Sequence, residues 1–255
     1  MTPSVQIKRY QTLSMLIDAA AHRFFTTVSA IQADSHGGVH CDGKVRLVLT
    51  GGTAGIALLD QLATGQRSDP QVGAIDWSRV HVFFGDERNV PRNHPDSNEG
   101  QAARALLDRV NIPANQVHGY GLDGSNMTPA VSAYTHLLER VAPKGFDIHL
   151  LGMGGEGHIN SLFPHSAGLR GDAPAVLAVH DSPKPPPERI TLTLPAIRSS
   201  QRVWFLVSGN EKATAAAHLV QGTDTTNWPA AGARGRAETV LFVTSDAAAK
   251  LHVPE

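Results

Sequence analysis

The regular alternation of strand-like and helix-like segments is the strongest constraint on how this chain can fold. The strand-like segments are apolar and β-rich, and they lie at residues 44–50, 79–84, 146–151, 175–180, 202–208 and 239–244. The segments with apolar residues at helical spacing lie at residues 11–33, 54–64, 98–110, 128–142 and 210–220. Such βα alternation predicts an α/β fold with a mostly parallel sheet flanked by helices on both faces.

The chain is predicted to form a single domain over residues 1–255. A chain of 255 residues can bury one large core, and no repeat of fixed period is visible. Two segments lack periodicity, the proline-rich residues 181–190 and residues 225–238. The first is expected to form a stiff loop and the second a mobile surface segment.

Composition argues against several classes of partner. The formal net charge is −1, so no global electrostatic attraction to nucleic acid or to an anionic membrane is expected. No apolar run approaches the roughly 20 residues of a membrane span, and the first ten residues lack the apolar core of a signal peptide. The lone Cys41 cannot form an internal disulfide and suits a reducing compartment. The expected location is therefore the cytoplasm.

The strand at 146–151 runs into a glycine-rich turn with the spacing G-x-G-x-x-G, made by Gly152, Gly154 and Gly157. This is the spacing of a dinucleotide-binding turn, which must also open a long helix. Prolines and glycines between residues 164 and 174 leave room for a short helix at most, around residues 159–163. The P-loop pattern fails too, because a histidine stands where its lysine should be.

The alternative is that these glycines present His158 at the carboxyl end of a parallel strand, where ligands bind in open α/β sheets. A helix-capping histidine is the plainer interpretation. Glu156 lies two residues earlier and could orient or charge-support the ring. The unperturbed imidazole pKa of ~6.5 also suits proton transfer near neutrality.

Two other strand-to-helix turns should lie at the same edge of the sheet. In the first, Gly51, Gly52 and Thr53 precede a helix whose N-terminus is a natural phosphate seat. In the second, Asp86 and Arg88 belong to a charged loop that is unusually long and polar.

Two cations further along the chain could complete an anion site. Arg189 lies in the segment "PPPERITLTLP", and Lys212 lies in the first turn of a predicted helix, where a bound anion would relieve its conflict with the helix dipole. A solvated side chain is the plainer interpretation of Lys212. The histidines are scattered without metal-ligand spacing, so no metal site is expected.

Three segments together resemble a known family, the 6-phosphogluconolactonases. They are "FFGDERNVPRNHPDSN", "FDIHLLGMGGEGHINSLFPHS" and "SPKPPPERITLTLP". The resemblance implies the fold of glucosamine-6-phosphate deaminase and, more distantly, of ribose-5-phosphate isomerase. It also implies hydrolysis of 6-phospho-D-glucono-1,5-lactone in the oxidative pentose phosphate pathway, without cofactor or metal. The first loop departs from the family's G-G-S-T-P, and Glu156 replaces the usual aspartate.

The resemblance also implies a role for each candidate residue. His158 would activate water and Glu156 would support it. Asp86 matches an acidic position that transfers protons in the deaminase relatives. The phosphate and lactone surface would comprise Gly51, Gly52, Thr53, Arg88, Arg189 and Lys212.

Two other functions remain as alternatives. One is an amino-sugar-phosphate isomerase or deaminase, whose pattern G-H-I-A-F-N-E-P has an Asn and a Glu near its end; "GHINSLFP" lacks both at the corresponding positions. The other is a non-catalytic sugar-phosphate-binding module. The expected partner in each case is a small phosphosugar, and the chain is expected to be a monomer or a weak homo-oligomer.

Overall fold

The computed structural model describes residues 4–65 and 75–251, and a seven-stranded parallel sheet forms the centre of this part of the chain. The strand order is β1-β10-β9-β6-β2-β3-β5. The strands are β1 (Val5–Tyr10), β2 (Val45–Leu49), β3 (Val80–Phe84), β5 (Val117–His118), β6 (Ile148–Leu151), β9 (Arg202–Val207) and β10 (Glu238–Thr244). The prediction of a mostly parallel sheet is confirmed.

Helices cover both faces of this sheet. They are α1 (Leu13–Ala33), α2 (Gly52–Gly65), α3 (Asn98–Ala105), α4 (Thr128–Val141), α5 (Leu194–Arg198) and α6 (Ala213–Gln221). Successive side chains of a strand point to opposite faces. In β9, Trp204 and Leu206 join the core that contains α1 and α2, whereas Val203 and Phe205 join the core that contains α5 and α6. Burial on both faces explains the nearly continuous apolar strands.

A second, three-stranded sheet was not foreseen. It consists of β4 (Asp86–Arg88), β7 (Val176–Val179) and β8 (Arg189–Leu192), with β8 in the centre and both pairings antiparallel. Residues 175–180 therefore do form a strand, but one outside the parallel sheet. The small sheet places the charged loop after β3 next to the segment that carries Arg189.

The structure corrects one local expectation and adds two local elements that the sequence did not predict. Residues 159–163 form a tight turn closed by an Ile159–Leu162 bridge, not a short helix. Residues 225–238 are not a mobile surface segment, because Pro229–Gly232 form a buried 3-10 turn that packs on α6. Residues 4–10, read only as lacking a signal peptide, contain the edge strand β1.

The strand order reverses direction at β2, because the chain continues to β3 on one side and returns to β6 on the other. In open α/β sheets such a switch point opens a crevice at the carboxyl ends of the strands. Here the crevice lies between the turn after β2 and the turn after β6. The Gly152 N–H donates to Thr50 Oγ1 at 3.1 Å and ties the two turns together.

A buried carboxylate fixes the start of α3 beside this crevice. Ser97 is the N-cap residue of α3, and its hydroxyl accepts from the Gly100 N–H. The carboxylate of Glu87 accepts from the Ser97 hydroxyl and from the backbone N–H groups of Arg88, Asn98 and Glu99, at 2.8–3.0 Å. Burial raises the pKa of Glu87, while these backbone donors oppose the rise.

Glu87→Gln is expected to lower the free energy of unfolding by about 2–3 kcal/mol, because one carboxylate oxygen becomes an amide that faces backbone donors it cannot accept from. Denaturant unfolding followed by circular dichroism measures the change. Glu139→Gln, at an exposed position on α4, is the matched control and should change stability by less than about 0.5 kcal/mol. Equal stability of the two variants would contradict the capping role.

Candidate active site

A cavity of about 350 Å³ opens at the carboxyl ends of the parallel strands. Its walls come from the turns that follow β2, β3, β6 and β9, together with Arg189 from β8. Eight of the nine predicted site residues line it, namely Gly51, Gly52, Thr53, Asp86, Arg88, His158, Arg189 and Lys212. The ninth, Glu156, lies behind His158 and contacts its ring.

The turn after β2 presents the N-terminus of α2 to this cavity. Gly52 has a φ of 78°, a left-handed conformation that favours glycine, and no other atom lies near the position of an added Cβ. Gly51 has no such space, because the Asn98 side chain packs directly on its Cα. The free N–H groups and the helix dipole of α2 therefore suit a phosphate at this end of the cavity.

The glycines of the turn after β6 make room for His158, as predicted. A Cβ at Gly154 would collide with the His158 imidazole and the Glu156 carboxylate. Gly157 has a φ of 79°, and a side chain there would press on Trp228. The Gly154 N–H donates to the His158 carbonyl at 3.0 Å, which closes the turn. This turn opens no long helix, so the structure gives the glycines a different role from those of a dinucleotide-binding turn.

The His158 imidazole lies between a carboxylate, an ammonium group and an aromatic ring. Its Nδ1 is 3.2 Å from Glu156 Oε1 and 3.5 Å from Lys184 Nζ, and the ring stacks on Phe163 with centroids 4.5 Å apart. The carboxylate only accepts and is nearer to Nδ1 than the ammonium group is, so we assign the proton to Nδ1 and the free lone pair to Nε2.

Opposing influences act on the pKa values of this pair. Burial, followed by the Lys184 charge, lowers the pKa of His158, while Glu156 raises it. Burial by itself would raise the pKa of Glu156. Hydrogen bonds from its own backbone N–H and from Lys184, and the interaction with His158, lower that pKa to about 2. At neutral pH the pair is thus a carboxylate beside an uncharged imidazole.

Asp86 lies in the wall of the cavity with partners on both carboxylate oxygens. Oδ2 accepts from Ser161 Oγ at 2.6 Å, and Oδ1 accepts from Asn98 Nδ2 at 3.1 Å. Arg189 Nη1 is 3.9 Å from Oδ2. These contacts fix the turn that carries Ser161, three residues after His158.

The three predicted cations differ in how many hydrogen bonds they make to other protein groups. Arg189 donates through Nε and Nη2 to the carbonyls of Pro186 and Lys184, and so fixes the proline-rich loop. Arg88 donates through Nη1 to Asp96 and Asn98. Its buried Nε has no partner among the described residues. Within the same part of the chain, the Lys212 ammonium has no protein hydrogen-bond partner.

Sequence reasoning missed several residues of this site. Asn98 and Ser161 lie inside the quoted motifs H-P-D-S-N and G-H-x-x-S-L-F-P, but were not assigned a role. Lys184 was read only as part of a stiff loop. Asn160, which also lines the cavity, had no sequence signal beyond its place two residues after His158.

Two features are absent from residues 4–65 and 75–251. No helix there combines the length and the apolar character needed to cross a membrane. Nor do three or more His, Cys, Asp or Glu side chains group there as a metal ion would require.

The fold and the cavity define an α/β protein with a histidine and several cationic side chains at the carboxyl edge of a parallel sheet. The chain belongs to the glucosamine-6-phosphate isomerase/6-phosphogluconolactonase family, whose profile matches residues 11–242.

Individual relatives agree with this family. The chain is 46% identical to a 6-phosphogluconolactonase of Mycobacterium tuberculosis over 260 residues, which cover 98% of this chain and 99% of that protein. It is 40% identical to one of Streptomyces coelicolor over 262 residues, covering 98% and 96%. The crystal structure of 6-phosphogluconolactonase from Thermotoga maritima superimposes with a TM-score of 0.80 at 27% identity, covering 95% of this chain and 100% of that one.

A protein with a different activity has the same fold. A monomeric glucosamine-6-phosphate deaminase superimposes with a TM-score of 0.78, covering 97% of this chain and 100% of that one. The identity is only 19%, so this similarity concerns the fold alone.

The charges around His158 give a titration test. Lys184→Met is expected to raise the pKa of His158, because removing a nearby cation favours the imidazolium; Glu156→Gln is expected to lower it, because removing the carboxylate disfavours that charge. NMR titration of the imidazole Cε1–H resonance measures both shifts. Lys250→Met, at an exposed lysine that contacts Thr214, should leave the pKa unchanged. Shifts of the opposite sign would overturn the assignment of these contacts.

Proposed function

We propose that this protein hydrolyses 6-phospho-D-glucono-1,5-lactone to 6-phospho-D-gluconate in the oxidative pentose phosphate pathway, using a water molecule that His158 activates. The observation that carries the proposal is the His158 imidazole, 3.2 Å from the Glu156 carboxylate, in one cavity with the N-terminus of α2 and three cations. The names of relatives that match nearly the full chain support the substrate and the reaction.

The chemistry requires one base and positive charge near the carbonyl. His158 Nε2 takes a proton from water as its oxygen attacks C1 of the lactone. The tetrahedral intermediate then collapses with cleavage of the C1–O5 bond, and the imidazolium returns its proton to O5. A lactone carbonyl is already activated, so this scheme uses no covalent nucleophile. Cationic neighbours stabilise the oxyanion.

We assign the phosphate to the end of the cavity formed by the α2 N-terminus, Lys212 and Arg88. Arg88 reaches this end because its partner Asn98 packs on Gly51. Arg189 bonds to Ser161, near the end that carries His158, and is assigned to the lactone. The phosphate then supplies binding energy remote from the reacting carbonyl and fixes the orientation of the ring.

Asp86 is assigned a positioning role in this scheme. Both of its carboxylate oxygens already hold protein donors, so proton transfer to a substrate would require those bonds to break. Its contribution is to hold Ser161, and through the chain His158, against the cavity wall.

The geometry supports lactone hydrolysis over deamination of an amino sugar. The position of the Glu in the deaminase pattern G-H-I-A-F-N-E-P is occupied here by Phe163, whose ring stacks on His158. An aromatic ring cannot supply the carboxylate that this pattern places beside the histidine. We therefore expect no ammonia release from glucosamine 6-phosphate.

The predicted cytoplasmic location, and the predicted monomer or weak homo-oligomer, are part of the same proposal.

His158→Asn is expected to lower kcat/KM for the lactone by about 10²–10⁴-fold, because the general base is lost. Binding of 6-phosphogluconate, measured by calorimetry, should change much less. Acid release from freshly made lactone is followed with spontaneous hydrolysis subtracted. His36→Asn, at an exposed histidine far along the chain, is the control. Full activity of the His158 variant would refute the mechanism.

Lys212→Met is expected to lower kcat/KM for the phosphorylated lactone by roughly 10–100-fold, the range for a charge-assisted hydrogen bond. Activity on unphosphorylated D-glucono-1,5-lactone should change by less than about threefold, because that substrate offers no phosphate to hold. An equal loss of activity on both substrates would contradict the assignment of Lys212 to the phosphate and would indicate that it acts at the lactone carbonyl.

A further inference from the structure

We infer that the carboxamide of Asn160 binds the vicinal hydroxyl groups on C2 and C3 of the sugar lactone and selects for substrates that carry them. The inference rests on the proposed function and adds a residue to which neither the family resemblance nor the sequence pattern assigns a role.

The polar atoms of Asn160 lack partners in a place where partners are normally required. The residue is only 9% exposed, yet neither Nδ2 nor Oδ1 has a hydrogen-bond partner among the described residues. Buried amide groups left without partners cost stability. Asn160 lines the cavity together with His158, Asp86 and Arg189, so a rotation of its side chain toward a ligand in that cavity would give both buried atoms the partners that they lack.

The neighbouring backbone places the carboxamide but cannot bond to it. The Asn160 side chain packs directly on the Cα of Gly85, where any side chain would collide with it. The Gly85 N–H donates to the Leu49 carbonyl, and its own carbonyl accepts from the Leu192 N–H. Both polar groups of Gly85 therefore have backbone partners already. The contact therefore gives the carboxamide no hydrogen bond that a rotation toward the cavity would break.

The backbone conformation does not by itself explain this residue. Asn160 has a φ of 48°, a left-handed conformation that asparagine tolerates better than most residues. Glycine satisfies the same conformation without burying an unpartnered amide. Ser161, the next residue of the turn, has its side chain bonded to Asp86, so the turn is anchored without the carboxamide.

The chemistry of the carboxamide identifies its ligand as a diol. A carbonyl oxygen or an oxyanion accepts only, and would satisfy Nδ2 while leaving Oδ1 unpaired. Two adjacent hydroxyl groups satisfy both atoms, one accepting from Nδ2 and the other donating to Oδ1. With the phosphate of C6 at the α2 end and C1 beside His158, the hydroxyl groups nearest to the reacting carbon are those on C2 and C3.

The test compares the natural lactone with its 2-deoxy analogue, 6-phospho-2-deoxy-D-glucono-1,5-lactone. The wild-type protein is expected to prefer the natural lactone by at least 10-fold in kcat/KM. In Asn160→Gly, which keeps the left-handed backbone, the preference should fall to threefold or less, mainly through loss of activity on the natural lactone. Asn160→Ala is the second variant and should lose the preference too.

Cys41→Gly is the matched control, because Cys41 is exposed and also has a positive φ; it should keep the wild-type preference. Calorimetry with 6-phosphogluconate and its 2-deoxy analogue gives the same comparison for a variant too slow to assay. A wild-type protein without the preference, or a variant that retains it at any overall rate, would overturn the inference. A wild-type protein inactive on the natural lactone would instead refute the proposed function.

Discussion

The rest of the site depends on the hydrogen bonds that the buried carboxylate of Asp86 accepts. It joins segments that are far apart in the chain, because it accepts from Asn98 and Ser161 and lies 3.9 Å from Arg189. Arg189 in turn holds the carbonyls of the loop that carries Lys184. A buried charge is tolerated only when it is paired and hydrogen-bonded. The same contacts that satisfy Asp86 therefore fix the turn that begins at His158 and the loop beside it.

The surroundings of His158 show how burial and charge can be balanced to give a base. Burial and the Lys184 ammonium both disfavour the imidazolium, while the Glu156 carboxylate favours it. Because the first two prevail, the ring is uncharged at neutral pH and can accept a proton. Lys184 has a second effect, since it also stabilises the charged form of Glu156. Lys184 thus favours both the ionised form of the Glu156 carboxylate and the uncharged form of the His158 imidazole.

The sequence allowed prediction of the parallel sheet, the helices and eight residues that line the cavity, because these depend on local periodicity and on the carboxyl-edge rule. The small antiparallel sheet escaped prediction, since β4 has three residues and pairs with a strand about a hundred residues later. Residues 225–238 were misread because their composition is that of a loop, whereas contacts with α6 bury them. The roles of Lys184 and Asn160 depend on side-chain contacts between distant segments, which no spacing rule encodes.

The hydrogen bonds of the cavity divide its polar residues into two groups with different functions. Asp86, Asn98 and Ser161 satisfy one another and form a rigid wall whose geometry needs no ligand. Arg88 Nε and both polar atoms of Asn160 are buried without protein partners. Groups that satisfy one another gain little from a substrate, because binding would exchange one partner for another. The unpartnered groups gain a bond where none existed, so a substrate that reaches them adds a hydrogen bond without displacing another. Substrate recognition should therefore depend on Arg88 and Asn160. Asp86, Asn98 and Ser161 should instead determine how accurately the cavity wall is positioned.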